Sequence, residues 1–467
     1  MEMIEIPKQE YEAMKELIVA LMAEVTALKA EIVELKARLN KNSNNSSKPP
    51  SSDGLKKGDI KNNRTPNGRT SGGQRGHEGK TLALTSTPDT IIKLKPQEHC
   101  ECGGKIMISM EDYTARQVTD IEPMKVITVE YRAQDGYCAS CNKAHKAGFP
   151  QGVSGTVNYG EHISAMITYL NTFHFLPIKR AAELMEDLFG IKVSQGVIVA
   201  RGLEAYEKLE GTEMRIIDEI LSEPVANTDE TGMRVEGSNH WLHSVGTPSC
   251  TVYGIHKKRG KAAMDEIGIL PKYSGTLVHD QWKSYYHYDK CSHAECNAHH
   301  LRQLKYLHED LGEVWAGEMA CLLLRIKKHI DLSMLFGVDR LMQLDIDSYI
   351  TEYRNILAKG ASVQENAAAK RTEAKRMINR LEEYESETLL FMLDFDVPFT
   401  NNLAERDLRM PKLKLKVSGG FRTIEGAKAF ARVRGFISTT KKKGKNVFDG
   451  LVTVFNGDAT NFLYPEI

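Results

Sequence analysis

The chain has 467 residues, room for about three domains of roughly 150 residues each, and 41% of it is hydrophobic, which excludes a disordered protein. Its 62 Lys and Arg balance 62 Asp and Glu, which excludes a uniformly basic nucleic-acid coat. No apolar run of about 18 residues occurs, so no membrane helix is expected, and the acidic opening MEMIEIPKQE predicts no secretory signal. The expectation is a soluble, cytoplasmic protein whose eight clustered cysteines ligate metal rather than form a disulfide scaffold.

In residues 1–42, Met14, Leu21, Leu28 and Leu35 recur every seven positions, as do Ile18, Val25, Ile32 and Leu39. β-branched residues dominate one set and Leu the other, the a/d pattern of a parallel two-stranded coiled coil, so this segment predicts a homodimerising zipper. The alternative is one amphipathic helix packed on its own chain. Residues 43–90 open on NSNNSSKPPSSD, which cannot bury enough to fold alone. Lys41, Lys48, Lys56, Lys57, Lys61, Arg64, Arg69, Arg75 and Lys80 then face only Asp53, Asp59 and Glu78. Such an arm suits a phosphate backbone, with a plain linker as the alternative.

Residues 91–152 read as a small β-rich, zinc-ribbon-like module carrying Cys100-x-Cys102 and Cys138-x-x-Cys141. Four thiolates suit structural Zn2+, which stabilises a module too small to hold itself together. The first pair is one residue shorter than the usual spacing, and His99 or His145 are substitute ligands. Reduced, unliganded cysteines are the alternative. Residues 153–215 read as helical. Ile178, Ala181, Ala182, Leu184, Met185 and Leu188 make an apolar face, a turn follows at FGIKVSQG, and a second helix starts near Val197 with Ser194 as its N-cap. This predicts a helix-turn-helix DNA-binding region, or an ordinary helical pair.

From about 216 to 425 the texture is that of an α/β core. VANTDETGMRVEG, HWLHSVGT, TVYGIHKK and GTLVHDQW read as strands, followed by a helical insertion over about 300–395. The cluster Cys291, His293, Cys296, His299 and His300 matches no standard metal spacing and reads as structural or DNA-facing, with metal binding as the alternative. Asp229 and Asp280 each end an apolar strand, and Glu405 opens a helix in NNLAERDLR. Acids on adjacent strands and a facing helix can converge on two divalent ions at a phosphodiester, the arrangement of a ribonuclease H-like core. Each acid has a plain alternative: Asp229 as a turn cap before Gly232, Asp280 as a strand-end residue, and Glu405 as the partner of Asn402 in a capping box.

The surroundings of Glu405 decide between them. Arg406, Arg409, Lys412, Lys414, Lys416 and Arg422 follow it, and from residue 401 onward thirteen Lys and Arg face six Asp and Glu. These cations are the candidate DNA-binding strip, and residues 426–467 read as a basic C-terminal domain.

Taken in order, the heptad helix into NSNNSSKPPSSD, then GGQRGHEGK, the cysteine pairs, NTDETG, HDQWKSY, NNLAERDLR and SGGFRTIEGAKAFARVRGFISTTKKKG, the chain resembles the insertion sequence 66 family of bacterial DDE transposases. The resemblance implies a multidomain α/β protein with a zipper, a zinc module and a ribonuclease H-like catalytic domain. It implies the triad Asp229, Asp280 and Glu405 with two Mg2+ or Mn2+, cleavage of transposon ends, and attack of the freed 3′-hydroxyl on target DNA without a covalent protein intermediate. Arg406, Arg409 and Lys412 would hold the flanking phosphates. DNA, a second copy of the chain and accessory proteins of the same element are the implied partners, at the bacterial nucleoid. A DNA-binding regulator without chemistry, a nuclease that cuts but does not join, and an inactive copy of the element are the competing expectations.

Overall fold

The computed structural model describes residues 7–39, 83–107, 114–121, 124–150, 152–366 and 372–465. The chain divides into two units, one of residues 55–131 and the other of residues 1–54 with 132–467. The basic arm of residues 43–90 lies outside the described residues apart from its last few, 83–90.

Helix α1, Lys8–Leu39, carries the heptad stripe. Met14, Ile18, Leu21, Val25, Leu28, Ile32 and Leu35 are each between 46 and 52% exposed, so the stripe is laid out along the helix with about half its apolar surface uncovered. Downstream, strands β1 (Asp135–Tyr137) and β2 (Ala144–Lys146) form an antiparallel hairpin.

The helical region contains α2 (Glu161–Thr168), a π-helical turn at Tyr169–Phe173, α3 (Ile178–Phe189), α4 (Gln195–Lys208) and α5 (Glu210–Ser222). Helix α3 ends on Gly190 at φ +67°, a left-handed C-cap that glycine adopts without a Cβ penalty. The Ser194 hydroxyl accepts the Val197 N–H at 3.2 Å and so caps α4 as its sequence predicts. Ala181 and Met185 of α3 pack on Ile198 of α4, and Ile167 and Leu170 join them. Leu188, expected on the apolar face, is half exposed, because the face needed for packing is narrower than the apolar stripe.

The central sheet is built from β3 (Val225–Val235), β4 (Ser238–Gly246), β5 (Thr251–His256), β6 (Thr276–His279) and β7 (Ser292–Glu295), in the order β5-β4-β3-β6-β7. The first three are antiparallel neighbours joined by short turns, while β6 and β7 run parallel to β3. The crossover from β5 to β6 carries α6 (Lys261–Ile267). The strand β7 falls within CSHAECNAHH, where the sequence offers no apolar alternation.

After β7 come α7 (Asn297–Glu309), α8 (Val314–Leu335), α9 (Gln343–Asn366), α10 (Thr372–Glu383) and α11 (Glu385–Leu393), which share one apolar cluster around Trp315, Leu323, Tyr353 and Phe391. The chain then returns to the sheet through α12 (Asn402–Ser418), α13 (Ile424–Lys442), α14 (Val447–Asn456) and α15 (Ala459–Leu463). The two faces of the sheet bury different partners. Met233, Val235, Leu242 and Ile255 pack on Leu408 of α12 and Phe430 of α13. Ala226, Val252 and Leu277 face Ile216 of α5, Phe436 of α13 and Leu451 of α14. Residues 426–467 therefore enter the same core as the sheet and do not stand apart as a domain of their own. Gly420 lets this closure happen: a Cβ there would lie 2.5 Å from the Arg234 carbonyl, which instead accepts the Phe421 N–H at 2.8 Å.

Candidate carboxylate centre and basic helix

Strand pairing places the first two acids. The parallel register of β3 with β6 sets Asn227 beside Val278, and carried two residues on it sets Asp280 level with Asp229. Neighbouring strands lie about 4.8 Å apart, so the two carboxylates are forced close together. Side chains alternate along β3, which puts Asp229 on the same face as Met233 and Val235. That face is covered by α12 through Leu408, three residues beyond Glu405 and on the same side of the helix.

Asn401 fastens α12 to the strand at this point. Its carboxamide donates to the Thr228 carbonyl at 2.8 Å and accepts from the Asn227 carboxamide at 2.8 Å, immediately before Asp229. The Glu405 N–H in turn donates to the Asn401 carbonyl at 3.2 Å. On the other flank, the Cys296 N–H donates to the carbonyl of His279, the residue before Asp280. The sulfur of Cys296 is within 4.8 Å of a Glu405 carboxylate oxygen. The structure thus sets Asp229 against Asp280 on the sheet and brings Glu405 to the same end, beside Cys296, His299 and Arg302, whose Nη2 is 3.9 Å from it.

The electrostatics follow from the burial. Asp229 is pushed up to about 8, first by loss of solvent and then by the negative charges of Glu230 and Asp280, with Lys412 opposing. Asp280 is pushed up to about 6 by burial and by Glu230, with the Trp282 N–H and Arg259 opposing. The positive charges of Lys412 and Arg259 do not offset burial and mutual repulsion at these two acids, and their all-oxygen donor set fits hard divalent cations. Glu230 points to the opposite face of the sheet, where it accepts from Arg259 Nε at 2.7 Å and from the Tyr285 hydroxyl. Arg259 is stacked between Trp241 and Trp282, its guanidinium carbon 4.9 and 4.3 Å from their rings.

Helix α12 runs unbroken through Pro411, so Glu405 and Lys412 lie two turns apart on one face. Arg406, Arg409, Lys412, Lys416 and Arg422 are exposed. Lys414 departs from the expected strip: it is 8% exposed, donates to the Ser418 hydroxyl at 3.1 Å and lies over the Phe421 ring.

The cysteine pairs each sit in a tight turn. The Cys100 N–H donates to the Gly104 carbonyl and the Gly103 N–H to the Cys100 carbonyl, with Gly103 at φ +85°. The second turn repeats this with Cys138, Lys143 and Asn142, the last at φ +54°. Backbone N–H groups of Cys102 and Cys141 lower the Cys100 and Cys138 thiols, the knuckle chemistry that suits a thiophilic ion. The first pair belongs to one unit of the chain and the second to the other.

The cluster around CSHAECNAHH divides. His300, fully buried, pairs with Glu295 at 2.7 Å and with the Gln281 carboxamide, and Cys291 and His293 reach the Tyr288 carbonyl, so these three are structural. Cys296 and His299 face Glu405 instead. The proximity of Cys296 to Glu405 spans over a hundred residues, and no local pattern announces it.

Fold and site define an α/β protein with a carboxylate centre beside an exposed basic helix. The family model described as Transposase IS66 family matches residues 156–429, well over half of the chain, and the chain belongs to that family. A family of unknown function (DUF6444) matches residues 3–83. No curated protein matches the chain.

Proposed function

We propose that this transposase-family protein cuts and joins DNA by a DDE mechanism, with Asp229, Asp280 and Glu405 as its triad. The observation that carries the reading is the pairing of Asp229 with Asp280, two half-buried acids of raised affinity for protons, where β6 ends beside β3 and α12 delivers Glu405. The strand order, three antiparallel strands followed by two parallel ones, supports a ribonuclease H-like core. Asp229 and Asp280 would hold two Mg2+ or Mn2+ ions with Glu405 completing the set. When bound, such ions activate the attacking oxygen and stabilise the leaving one.

The chain's own residues do the remaining work. Asn401 and Cys296 fix α12 and α7 against the two acid-bearing strands, so the triad is preorganised rather than assembled on binding. Arg406, Arg409, Lys412, Lys416 and Arg422 form a cationic strip that holds phosphates flanking the scissile bond. The pairs Cys100/Cys102 and Cys138/Cys141 carry structural Zn2+, α1 pairs with a second copy through its heptad stripe, and α3 with α4 contacts the element ends. Its place of action would be the nucleoid, where accessory proteins of the same element would act with it. Among the described residues no helix is long and apolar enough to cross a membrane.

The test is Mg2+-dependent cleavage of a labelled duplex carrying the element's end. Asp229→Asn is expected to lower the rate by at least about a thousandfold, a transition-state loss of about 4 kcal/mol. Undiminished cleavage by that variant would refute the triad. Cleavage without joined product would leave a nuclease, and DNA binding indifferent to Asp280→Ala with no cleavage would leave a regulator.

A further inference from the structure

We infer that Cys296, His299 and Glu405 form a binding site for a thiophilic divalent ion of the Zn2+ class, distinct in its metal preference from the all-oxygen pair Asp229 and Asp280. One sulfur, one ring nitrogen and one carboxylate oxygen lie within 4.8 Å of one another. Ligand atoms bonded to a single tetrahedral ion at about 2.0–2.3 Å are separated by roughly 3.3–3.8 Å, so small side-chain rotations close the set.

The donors are held for this role by the backbone. Cys296 is the N-cap residue of α7 and His299 lies three residues later, so both side chains project from its first turn. The Cys296 sulfur is fully buried and accepts the Asn401 N–H at 3.1 Å, the second-sphere bond that orients a metal-binding cysteine. Asn401 also begins the turn that presents Glu405, so one residue positions two of the three donors. His299 Nδ1 is buried with no hydrogen-bond partner, and a buried ring nitrogen left that way calls for a ligand. Arg302, its Nη2 3.9 Å from Glu405, is the cation that faces this carboxylate when no metal ion is bound.

A thiolate–imidazole–carboxylate set selects Zn2+ or Co2+ over Mg2+, and three protein ligands leave one position open. The inference rests on that reading for the place of Glu405, but its other two donors are the side chains of Cys296 and His299, which that reading does not use as ligands.

Cobalt(II) titration of the full chain tests it, because a thiolate ligand gives an absorption band that oxygen ligands do not. Cys296→Ser and His299→Asn are each expected to lose about one equivalent of bound Co2+ per chain. Both variants should keep a cooperative thermal unfolding transition, which shows that they fold. Cys296→Asp should restore the equivalent without its thiolate band. Titrations of Cys296→Ser and His299→Asn that match the wild type would overturn the site. Asp229→Asn should leave the thiolate band unchanged whatever it does to Co2+ held by oxygen ligands, so loss of the triad reading and loss of this site are read separately.

Discussion

The hydroxyl of Tyr253 donates to the carbonyl of Asp407 at 2.8 Å, filling the bond that Pro411 cannot make. A proline inside a helix removes one N–H and orphans the carbonyl four residues back, which here is that of Asp407. With the orphan satisfied from β5, α12 continues through Pro411 and carries Lys412 along the face that Glu405 opens.

Tyr253→Phe should therefore cost about 1–3 kcal/mol, the penalty for a buried carbonyl left without a donor. In a Pro411→Ala background the cost should fall to about a third, since an alanine at that position supplies its own N–H. Chemical denaturation of the four proteins measures the coupling. Additive losses would show that Tyr253 acts elsewhere.

A second prediction concerns pH. Asp229 ionises near 8 in the folded chain and near 3.8 when unfolded, so between those values the folded state holds a proton that the unfolded state has released. Stability without divalent ion should fall as pH rises from about 4 to about 8 and then level off. Mg2+ or Mn2+ should raise Tm more at pH 8 than at pH 5. Asp229→Asn should abolish that difference and stabilise the ion-depleted chain by about 1–3 kcal/mol at pH 8. Equal Tm shifts at both pH values would argue against ion binding at the pair.

Glu219 titrates in the opposite sense. Burial would raise it, but bonds with Cys250, Tyr464, Lys443 and Ser249 prevail and hold it at about 2. Its contribution is present above about 4.5 and is lost as pH falls towards 2. Because the group is partly solvated, Glu219→Gln should cost only about 1 kcal/mol at pH 6 and almost nothing at pH 2. A cost independent of pH would mean that packing, not charge, ties α5 to Tyr464 and Lys443.

The cationic strip makes a salt-dependence prediction. Arg406→Ala, Arg409→Ala and Lys412→Ala should each reduce the slope of log affinity for DNA against log salt by about 0.9. Lys414→Ala should lower stability and leave that slope alone, because its ammonium is turned inward onto Ser418 and Phe421.

Much of this arrangement is legible in the residues. The strand before Asp280 announces itself by its apolar run and Ser194 announces α4 by capping chemistry, whereas Asp229, expected to end its strand, lies inside β3, which runs on to Val235 through its pairing with β4. What is not legible arises from contacts between distant segments. Lys414 looks like its exposed neighbours, yet it follows Leu408 and Pro411 at helical spacing and so falls on the inner face of α12. β7 hides because its pairing with β6, and not its own pattern, makes it a strand. The proximity of Cys296 to Glu405 depends on α12 returning to the sheet after five intervening helices.

The central claim is that Glu405 completes a metal-dependent centre for cutting and joining DNA. The most direct measurement is a strand-transfer assay on a labelled duplex bearing the element's end, with Mg2+ or Mn2+, comparing the wild type with Glu405→Gln. Joined products from the wild type that fall by at least about a thousandfold in the variant, with DNA affinity retained, are the predicted result. Equal yields of joined product from both proteins would contradict it.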